Sequence, residues 1–484
     1  MNKKCQIFTP TEVVEDLLDI VEYKSGVFGK KVIDTACGEG NMLVIIVRRY
    51  IADGRENDVT NSEIIKGLER DIWGLEIDRK RYITCIEKLD LSIKKDKLGK
   101  VKWNVHNEDS LNFIYDNQYD FVIGNPPYIN YRDLDVNTRA YIKLNFKSCI
   151  SGKFDYCYAF VDHALSLLNE NGKMAFLIPN SIFKNVFAQN LRNMIIEKIT
   201  RIEDFRTIKL FNDVNTSSAF IVIENNSYQD EIYYTNRASN ISKKIRKKNL
   251  IGKWVFDRNH SEHLQKKRFG DFFKASITIA TLLNKAYILS EAVKCGDYYK
   301  VGNILIEKEV IRKAASPRNS SSNSSEHIIF PYYYYEGNLT RYRENVFEKR
   351  FPMAVEYLKQ YSNDLVKRNS DKNSHWFEYG RSQALAHLLQ KKLLLSTVVT
   401  NKVKTYEIGK ETIPYSGIYI IPNTDVPLSI AKKILESDSF YDYVKSIGIN
   451  ASGNSLRITV ADINNYRFYV GGDLGGQNEI QDFL

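Results

Sequence analysis

The chain has 484 residues, which is more than one hydrophobic core usually organises, so we expect two domains. Hydrophobic residues make up 43% of the chain and charged residues 26%, which excludes a disordered or fibrous protein. The 69 Lys and Arg residues exceed the 59 Asp and Glu residues and give a formal net charge of +10, which favours polyanionic partners only modestly.

Strand and helix patterns alternate from the N-terminus to the region of residue 225. A helix is predicted over residues 11–22, because apolar residues recur at helical spacing after the turn Thr9-Pro10. Short apolar segments between further helices predict strands at residues 31–34, 72–78, 101–105, 119–123, 174–178, 202–205 and 219–223. This alternation indicates an α/β fold with a mostly parallel, doubly wound sheet, which binds ligands at the carboxyl ends of its strands.

The pattern changes near residue 240. A basic run at residues 243–248 is followed by a second basic cluster at residues 266–268 and by a polar low-complexity segment at residues 316–325. The alternation of strands and helices does not resume, and no internal repeat is found. We therefore expect an α/β domain over residues 1–240 and an irregular α+β domain over residues 241–484.

The cysteines and the apolar segments indicate where the protein works. The six cysteines are scattered and form no Cys-x-x-Cys pair, so we expect reduced thiols and no metal site. No segment approaches the ~18 apolar residues that span a bilayer, and no apolar signal segment follows the basic N-terminus. The sequence therefore predicts a cytoplasmic protein without a membrane partner.

Acidic residues end three successive predicted strands. Asp34 opens a turn of small residues, 34–40, where the backbone can approach a ligand closely. A turn with an acidic residue and only two glycines suits the ammonium group of a ligand better than the pyrophosphate of a dinucleotide. Glu76 could accept hydrogen bonds from ribose hydroxyls, and Asp109 from an adenine amino group. Each of these carboxylates alone is more often a solvated strand end, but their order predicts a pocket for S-adenosylmethionine.

The residues assigned to this pocket from the sequence share positions at or just after the predicted strand ends. They are Asp34, Ala36, Cys37, Gly38, Gly40, Glu76, Ile77, Asp109, Ser110 and Asn125.

A buried strand runs into the predicted catalytic segment, Asn125-Pro126-Pro127-Tyr128. The two prolines fix φ and remove two N–H donors, so the turn is stiff. An exocyclic amine must localise its lone pair on nitrogen before it attacks a methyl group. The Asn125 side-chain oxygen and the Pro126 carbonyl can favour this by accepting the two amine protons, and the Tyr128 ring can stack on the base. A Pro-Pro turn that closes a strand is common, but this tetrapeptide in this context predicts methylation of an NH2 group.

The order of these motifs resembles the gamma-class N6-adenine DNA methyltransferases of bacterial restriction–modification systems, over most of the chain. The resemblance implies a Rossmann-like S-adenosylmethionine-dependent methyltransferase domain followed by a target-recognition domain. It implies that Phe8-Thr9-Pro10 closes over the methionine end of the cofactor, so that Thr9 and Pro10 bind cofactor. Residues 152–156, 171–173 and 178–181 are similar to later motifs of the family's catalytic domain.

A base inside a duplex cannot reach such a pocket and has to be flipped out, which predicts a second aromatic residue on its far face. The resemblance assigns this role to Phe211, although core packing is the usual role of such a residue. Residues 350–368 and 376–381 look like landmarks of target-recognition domains, although they could equally be a basic helix end and an aromatic core cluster. The residues assigned to DNA binding are Lys243, Arg246, Arg368 and Arg381.

The leading hypothesis is therefore site-specific methylation of adenine N6 in double-stranded DNA, in a bacterial, nucleoid-associated protein. No nuclease cluster is found and the first motif begins almost at Met1, so we expect methylation without cleavage and leave open a separate cognate restriction endonuclease. RNA adenine, a protein glutamine amide, or a DNA-binding module with a vestigial catalytic fold are the alternatives. The long second half argues against the protein substrate, and the intact catalytic segment argues against a vestigial fold.

Overall fold

The computed structural model describes residues 9–116, 118–206, 208–211, 217–256, 266–322, 325–452 and 454–469. Phe8 and Cys5 lie outside the described residues, and the other cysteines are free thiols. The chain divides into two compact units, Met1–Arg258 and Asn259–Leu484. No helix within the described ranges combines the length and apolar composition needed to cross a bilayer.

The first unit is built on a nine-stranded sheet in the order β3-β2-β1-β4-β5-β7-β6-β8-β9. Its strands are β1 (Val32–Asp34), β2 (Ile72–Leu75), β3 (Asn104–His106), β4 (Tyr119–Gly124), β5 (Leu168–Pro179), β6 (Ile199–Asp204), β7 (Ser218–Glu224), β8 (Glu231–Asn236) and β9 (Ile241–Arg246). Strands β1 to β5 pair in parallel, and β7 is antiparallel to both β5 and β6. The parallel, doubly wound core that the sequence predicts is therefore present. Strand order reverses between β1 and β4, which is where ligands bind in such sheets.

Helices cover both faces of this sheet. They are α1 (Thr11–Ile20), α2 (Asn41–Glu56), α3 (Asn61–Asp71), α4 (Arg79–Lys95), α5 (Val136–Asn145), α6 (Cys157–Leu167) and α7 (Gln189–Ile195). Successive side chains of a strand point to opposite faces, so Val122 and Ile123 of β4 enter different hydrophobic clusters. Asp78 caps the N-terminus of helix α4, where its carboxylate accepts hydrogen bonds from the N–H groups of Lys80 and Arg81.

The division between the units differs from the sequence-based boundary after residue 240. Residues 241–246 form β9, which pairs antiparallel with β8 from Asn236 opposite Ile241 to Glu231 opposite Arg246. Residues 243–246 of the basic run therefore lie in the edge strand of the first sheet, and the first unit continues to Arg258. Lys243 and Arg246 belong to this unit and not to the second one, where the sequence had put them. Alternating exposure along β9 fits a strand with one face toward water.

The second unit combines short strands and short helices. Its strands are β10 (Lys266–Arg268), β11 (Phe273–Ile277), β12 (Ile288–Leu289), β13 (Val293–Cys295), β14 (Tyr298–Val301), β15 (Ile304–Glu307), β16 (Ile311–Ala315), β17 (Glu326–Ile329), β18 (Tyr332–Tyr335), β19 (Asn338–Arg341), β20 (Lys392–Leu395), β21 (Val398–Val399), β22 (Thr405–Ile408), β23 (Ile413–Pro414), β24 (Ile418–Pro422), β25 (Ile449–Ser452), β26 (Ser455–Arg457) and β27 (Arg467–Tyr469). Its helices are α8 (Asn284–Tyr287), α9 (Pro317–Ser321), α10 (Glu344–Arg350), α11 (Pro352–Lys359), α12 (Ser362–Val366), α13 (Leu428–Glu436), α14 (Asp438–Ile447) and α15 (Val460–Asn464). Within the described residues these strands form several small sheets of two to four strands, which is the irregular α+β character that the sequence predicts.

An ion pair between a buried glutamate and a half-exposed arginine lies beside the aromatic core of the second unit. Glu378 is 2% exposed, and its carboxylate accepts hydrogen bonds from Arg341 Nε at 2.7 Å and Nη2 at 2.6 Å. The backbone N–H of His375 donates to the same carboxylate at 3.0 Å. The rings of Phe347 and Phe377 stack with their centroids 4.1 Å apart. Such a bidentate pair fixes the geometry of the chain around residues 375–378 as well as neutralising the buried charge.

Candidate active site

A cavity lies at the carboxyl ends of the parallel strands in the first unit, at the switch point between β1 and β4. The residues predicted from the sequence that line it are Thr9, Asp34, Ala36, Cys37, Gly38, Glu76, Ile77, Asp109, Ser110, Asn125, Pro126, Pro127 and Tyr128. Pro10, Gly40 and Phe211 do not line it. The fold thus brings together residues that lie far apart in the sequence, because each follows a neighbouring parallel strand.

Gly40 shapes the turn before α2 and does not line the cavity. It adopts φ +83° directly before α2, a conformation that side chains other than glycine rarely accept. A Cβ atom at this position would also lie 2.6 Å from the Sγ atom of Cys85 on α4. Gly40 is therefore needed for the close packing of the turn against α4, and the pocket role assigned to it from the sequence is indirect.

Glu76 ties the ends of β1 and β2 together. Its Oε2 atom accepts a hydrogen bond from the backbone N–H of Gly38 at 3.0 Å, and Oε1 accepts one from that of Asp78 at 2.8 Å. Burial raises the pKa of the Glu76 carboxyl, although these two hydrogen bonds oppose the shift. A carboxylate has about four acceptor sites, so Glu76 keeps capacity for hydroxyl donors from a ligand.

Asp34 is the most deeply buried acid of the cavity, with 2% of its surface exposed. Burial raises its pKa to about 7, and repulsion from Glu76 contributes a smaller part in the same direction. The N–H of Ala36 donates to its Oδ1 atom at 3.0 Å, which opposes the rise. No ion pair of Asp34 is found within the described ranges. A cationic group of a ligand in the cavity would therefore meet a carboxyl group whose charge no basic side chain of those ranges neutralises.

Asn125 has one satisfied and one unsatisfied polar atom. Its Nδ2 atom donates to the hydroxyl oxygen of Thr9 at 3.0 Å. Its Oδ1 atom is buried and has no hydrogen-bond partner among the residues that the structure describes. Native structures leave few buried hydrogen-bond acceptors without a donor. An acceptor that lacks one therefore calls for an explanation, such as a catalytic role. Asn125 therefore offers a hydrogen-bond acceptor in the wall of the cavity.

The residues around Asn125 hold the segment Asn125-Pro126-Pro127-Tyr128 against the neighbouring strands β1 and β5. A Cβ atom on Gly124 would lie 3.0 Å from Oδ1 of Asp34, so the absence of a side chain there lets the ends of β1 and β4 approach each other. The hydroxyl of Tyr128 donates to the carbonyl of Leu177 on β5 at 3.0 Å. The Tyr128 ring is thereby anchored at its polar end.

Phe211 lies in the core and not at the cavity. It is 6% exposed and belongs to the same hydrophobic cluster as Phe205 and Phe220. The structure places Phe211 away from the cavity, so its stacking on a flipped-out base, which the family resemblance implies, stays a prediction.

Arg368, assigned to DNA binding from the sequence, holds together backbone segments of the second unit. Its guanidinium donates to the carbonyl oxygens of Leu365, Thr281, Glu378 and Trp376 at 2.8 to 3.1 Å. A guanidinium has five N–H donors, so little capacity is left for a phosphate.

The other predicted DNA-binding residues lie nearer to the surface. Arg381 pairs with Asp371 at 3.0 Å, and both side chains are 37% exposed. Arg246 on β9 lies 3.8 Å from Glu231 in an exposed pair. Pairs of this kind exchange readily with water, so these arginines could rearrange toward a phosphate.

Several residues of the cavity wall were not predicted. Arg81, Glu108, Tyr156 and Phe160 all line it. Tyr156 and Phe160 lie four residues apart at the start of α6, and the N–H of Tyr156 donates to the carbonyl of Ile129 at 2.9 Å. The helical spacing of the two aromatic residues was the available signal, but it is equally typical of core packing.

The chain is similar in sequence to known methyltransferases of restriction–modification systems. Residues 27–211 match the model of a family described as Eco57I restriction-modification methylase. The chain is 22% identical over 515 residues to Type II methyltransferase M.BstVI of Geobacillus stearothermophilus, over 93% of this chain and 87% of that protein. It is 21% identical over 543 residues to Type II restriction enzyme and methyltransferase RM.Eco57I of Escherichia coli, over 89% of this chain. The chain spans 53% of the length of that second relative.

Solved structures show the same fold. The structure of the Type IIL restriction-modification enzyme MmeI in complex with DNA matches with a TM-score of 0.58 and 16% identity, over 94% of this chain and 64% of that one. A nuclease-deletion mutant of the Type ISP restriction-modification enzyme LlaGI matches with a TM-score of 0.55 and 15% identity, over 91% of this chain and 43% of that one. The predicted resemblance to methyltransferases of restriction–modification systems thus holds as a similarity of sequence and fold.

Proposed function

We propose that this homologue of type II restriction–modification methyltransferases transfers a methyl group from S-adenosylmethionine to the N6 amine of a flipped-out adenine in duplex DNA. The observation that carries the proposal is the buried, unpartnered Oδ1 atom of Asn125 in the cavity wall. A buried acceptor without a partner lowers the stability of the folded chain. An amine N–H of the substrate would supply the missing hydrogen bond.

The acids of the cavity fit the proposed methyl donor. Asp34 would hold the ammonium group, because it is a buried carboxylate without a cationic partner in the described part of the chain. Glu76 would accept hydrogen bonds from the ribose hydroxyls, and Asp109 with Ser110, which line the same cavity, would bind the adenine ring. When bound, S-adenosylmethionine supplies a methyl group on a sulfonium centre, whose leaving group is a neutral thioether.

The chain contributes positioning and hydrogen bonding to the transfer. The Oδ1 atom of Asn125 accepts a hydrogen bond from one N–H of the amine and the carbonyl of Pro126 accepts one from the other N–H, so the lone pair of the amine is localised on nitrogen. The Tyr128 ring, anchored at its hydroxyl, supports the base by stacking. No strong general base is required, because the amine proton can leave after the new N–C bond has formed. Catalysis in this scheme depends mainly on holding the reacting atoms in line.

The second unit supports DNA as the substrate. We infer that it is the target-recognition domain, because an α+β unit with an aromatic core and partly exposed arginines such as Arg381 follows the catalytic unit. The two relatives that match along most of the chain are named a Type II restriction enzyme and methyltransferase and a Type II methyltransferase. Lys243 and Arg246 would contribute phosphate contacts from the edge strand β9. A separate cognate endonuclease stays a prediction.

The direct test is methyl transfer from tritiated S-adenosylmethionine to duplex DNA, RNA and protein in parallel reactions, followed by nucleoside analysis of the labelled product. We expect N6-methyladenine in duplex DNA as the labelled product. Methylcytosine as the sole product would overturn the base assignment, and label in RNA or protein alone would overturn the substrate assignment. Absence of transfer to all three would support a vestigial catalytic fold.

The raised pKa of Asp34 predicts that cofactor affinity depends on pH. A carboxyl with a pKa of about 7 is largely protonated at pH 5.5, and the ammonium group pairs only with the ionised form. The affinity for S-adenosylmethionine should therefore rise about tenfold between pH 5.5 and pH 7, below the range where an α-amino group itself titrates. Equilibrium binding measured across this window checks the prediction.

The control for this measurement is Asp34→Asn, which keeps the shape of the side chain and cannot ionise. This variant should bind S-adenosylmethionine more weakly at pH 7, and its affinity should depend much less on pH. The remaining dependence would come from Glu76. An unchanged slope in Asp34→Asn would assign the titration to another group.

A further inference from the structure

The contact between Thr9 and Asn125 joins the first described residue to the catalytic segment across 116 positions of sequence. Thr9 is 8% exposed and lies directly before Pro10, which precedes α1. The carbonyl of Pro10 accepts hydrogen bonds from the N–H groups of Val13 and Val14 at 3.1 Å, so the start of α1 is well ordered by its own backbone. Thr9 therefore meets Asn125 two residues before an ordered helix start.

The contact with Thr9 determines which way the side-chain amide of Asn125 faces. A terminal amide carries two N–H donors on one side and one acceptor on the other, and rotation by half a turn exchanges them. In this structure the Nδ2 side of Asn125 meets the Thr9 hydroxyl, which leaves Oδ1 as the buried atom without a partner in the described chain. A hydrogen bond donated by Nδ2 also polarises the amide and makes Oδ1 a better acceptor.

We propose that Thr9 is a positioning residue of the methyl-transfer step: its hydroxyl oxygen holds the Asn125 amide so that Oδ1 receives the substrate amine. This inference rests on the function proposed above. It assigns to Thr9 a contribution to the rate of transfer, whereas the family resemblance assigned it to cofactor binding. The two roles predict different kinetics, because an acceptor for Asn125 acts on the transition state and a cofactor ligand acts on affinity.

The test uses Thr9→Val in the full chain, which keeps the shape of the side chain and removes the acceptor. The single-turnover rate at saturating cofactor and DNA should fall about 10- to 100-fold, as expected when a reacting group is displaced by a fraction of an ångström to an ångström. The dissociation constant for S-adenosylmethionine should change by less than about threefold, and Thr9→Ser should restore most of the rate. Thr11→Val, an exposed threonine at the start of α1, is the matched control and should behave as wild type.

A double-mutant cycle with Asn125→Ala separates a direct role of Thr9 from an indirect one. Because Thr9 acts through Asn125 in this proposal, Thr9→Val should cause no further loss of rate in the Asn125→Ala background. Equal losses in both backgrounds would overturn the proposal. So would a tenfold weaker cofactor affinity of Thr9→Val with an unchanged rate at saturation. Failure of the proposed function itself would appear differently, as wild-type protein that labels no adenine in DNA. Thermal unfolding of each variant checks that a lost rate does not reflect a lost fold.

Discussion

Replacing Asn125 by Ala is expected to lower the single-turnover rate of methyl transfer by about 10²- to 10³-fold, the usual effect of removing one hydrogen-bond partner that acts at the reacting centre. The variant removes the buried acceptor and leaves the acids of the cavity in place. Affinities for S-adenosylmethionine and for duplex DNA should therefore stay within a fewfold of wild type. Single-turnover assays combined with equilibrium binding of both ligands check this result.

Two further variants sharpen the interpretation of that loss. Asn125→Gln carries the same amide on a longer stem, and displacement of the acceptor by the added methylene should cost about 10²-fold in rate. Asn145→Ala removes an exposed asparagine at the end of α5 and should leave the rate unchanged. Activity of Asn125→Ala near the wild-type level would contradict the mechanism, since the unpartnered Oδ1 atom would then have no role in transfer.

The second large effect concerns stability. Arg341→Met should destabilise the second unit by about 2 to 3 kcal/mol, because it leaves the Glu378 carboxylate buried without its cationic partner. The lower end of the usual range applies, since the Arg341 side chain is itself 47% exposed. Urea unfolding of the full chain, followed by tryptophan fluorescence and circular dichroism, should show the loss in the transition of the second unit alone.

Matched variants distinguish charge burial from loss of packing. Arg341→Met combined with Glu378→Leu should recover much of the lost free energy of unfolding, because both charges are then absent. Arg350→Met breaks an exposed pair with Glu309, whose side chains are 56% and 64% exposed, and should have a much smaller effect. A double variant no more stable than Arg341→Met would show that the arginine stem, and not its charge, stabilises this region.

Those parts of the site that depend on local sequence could be predicted. Asp34, Glu76 and Asp109 each follow an apolar strand, and parallel strands bring their carboxyl ends to one edge of the sheet whatever else the chain does. The catalytic segment could be recognised for a similar reason, since the paired prolines determine the turn from within. All of these residues line the cavity.

Contacts between distant segments could not be predicted. The need for glycine at position 40 comes from Cys85 on another helix, and the acceptors of Arg368 come from three separate stretches of the second unit. Phe211 illustrates the same limit, because its place in the hydrophobic cluster that includes Phe205 and Phe220 depends on the tertiary fold. A basic run such as residues 243–248 is equally compatible with a solvated linker and with an edge strand, and only pairing with β8 decides between them.

That edge strand has a consequence for how copies of the protein behave together. In the described part of the chain β9 is the last strand of its sheet, so one side of its backbone is available to pair with a strand of another molecule. Lys243, Lys244 and Arg246 all lie on this strand, and a second copy that added its own β9 would bring like charges into register. Repulsion of this kind disfavours sheet extension between molecules, which is the effect that lysines on edge strands generally have.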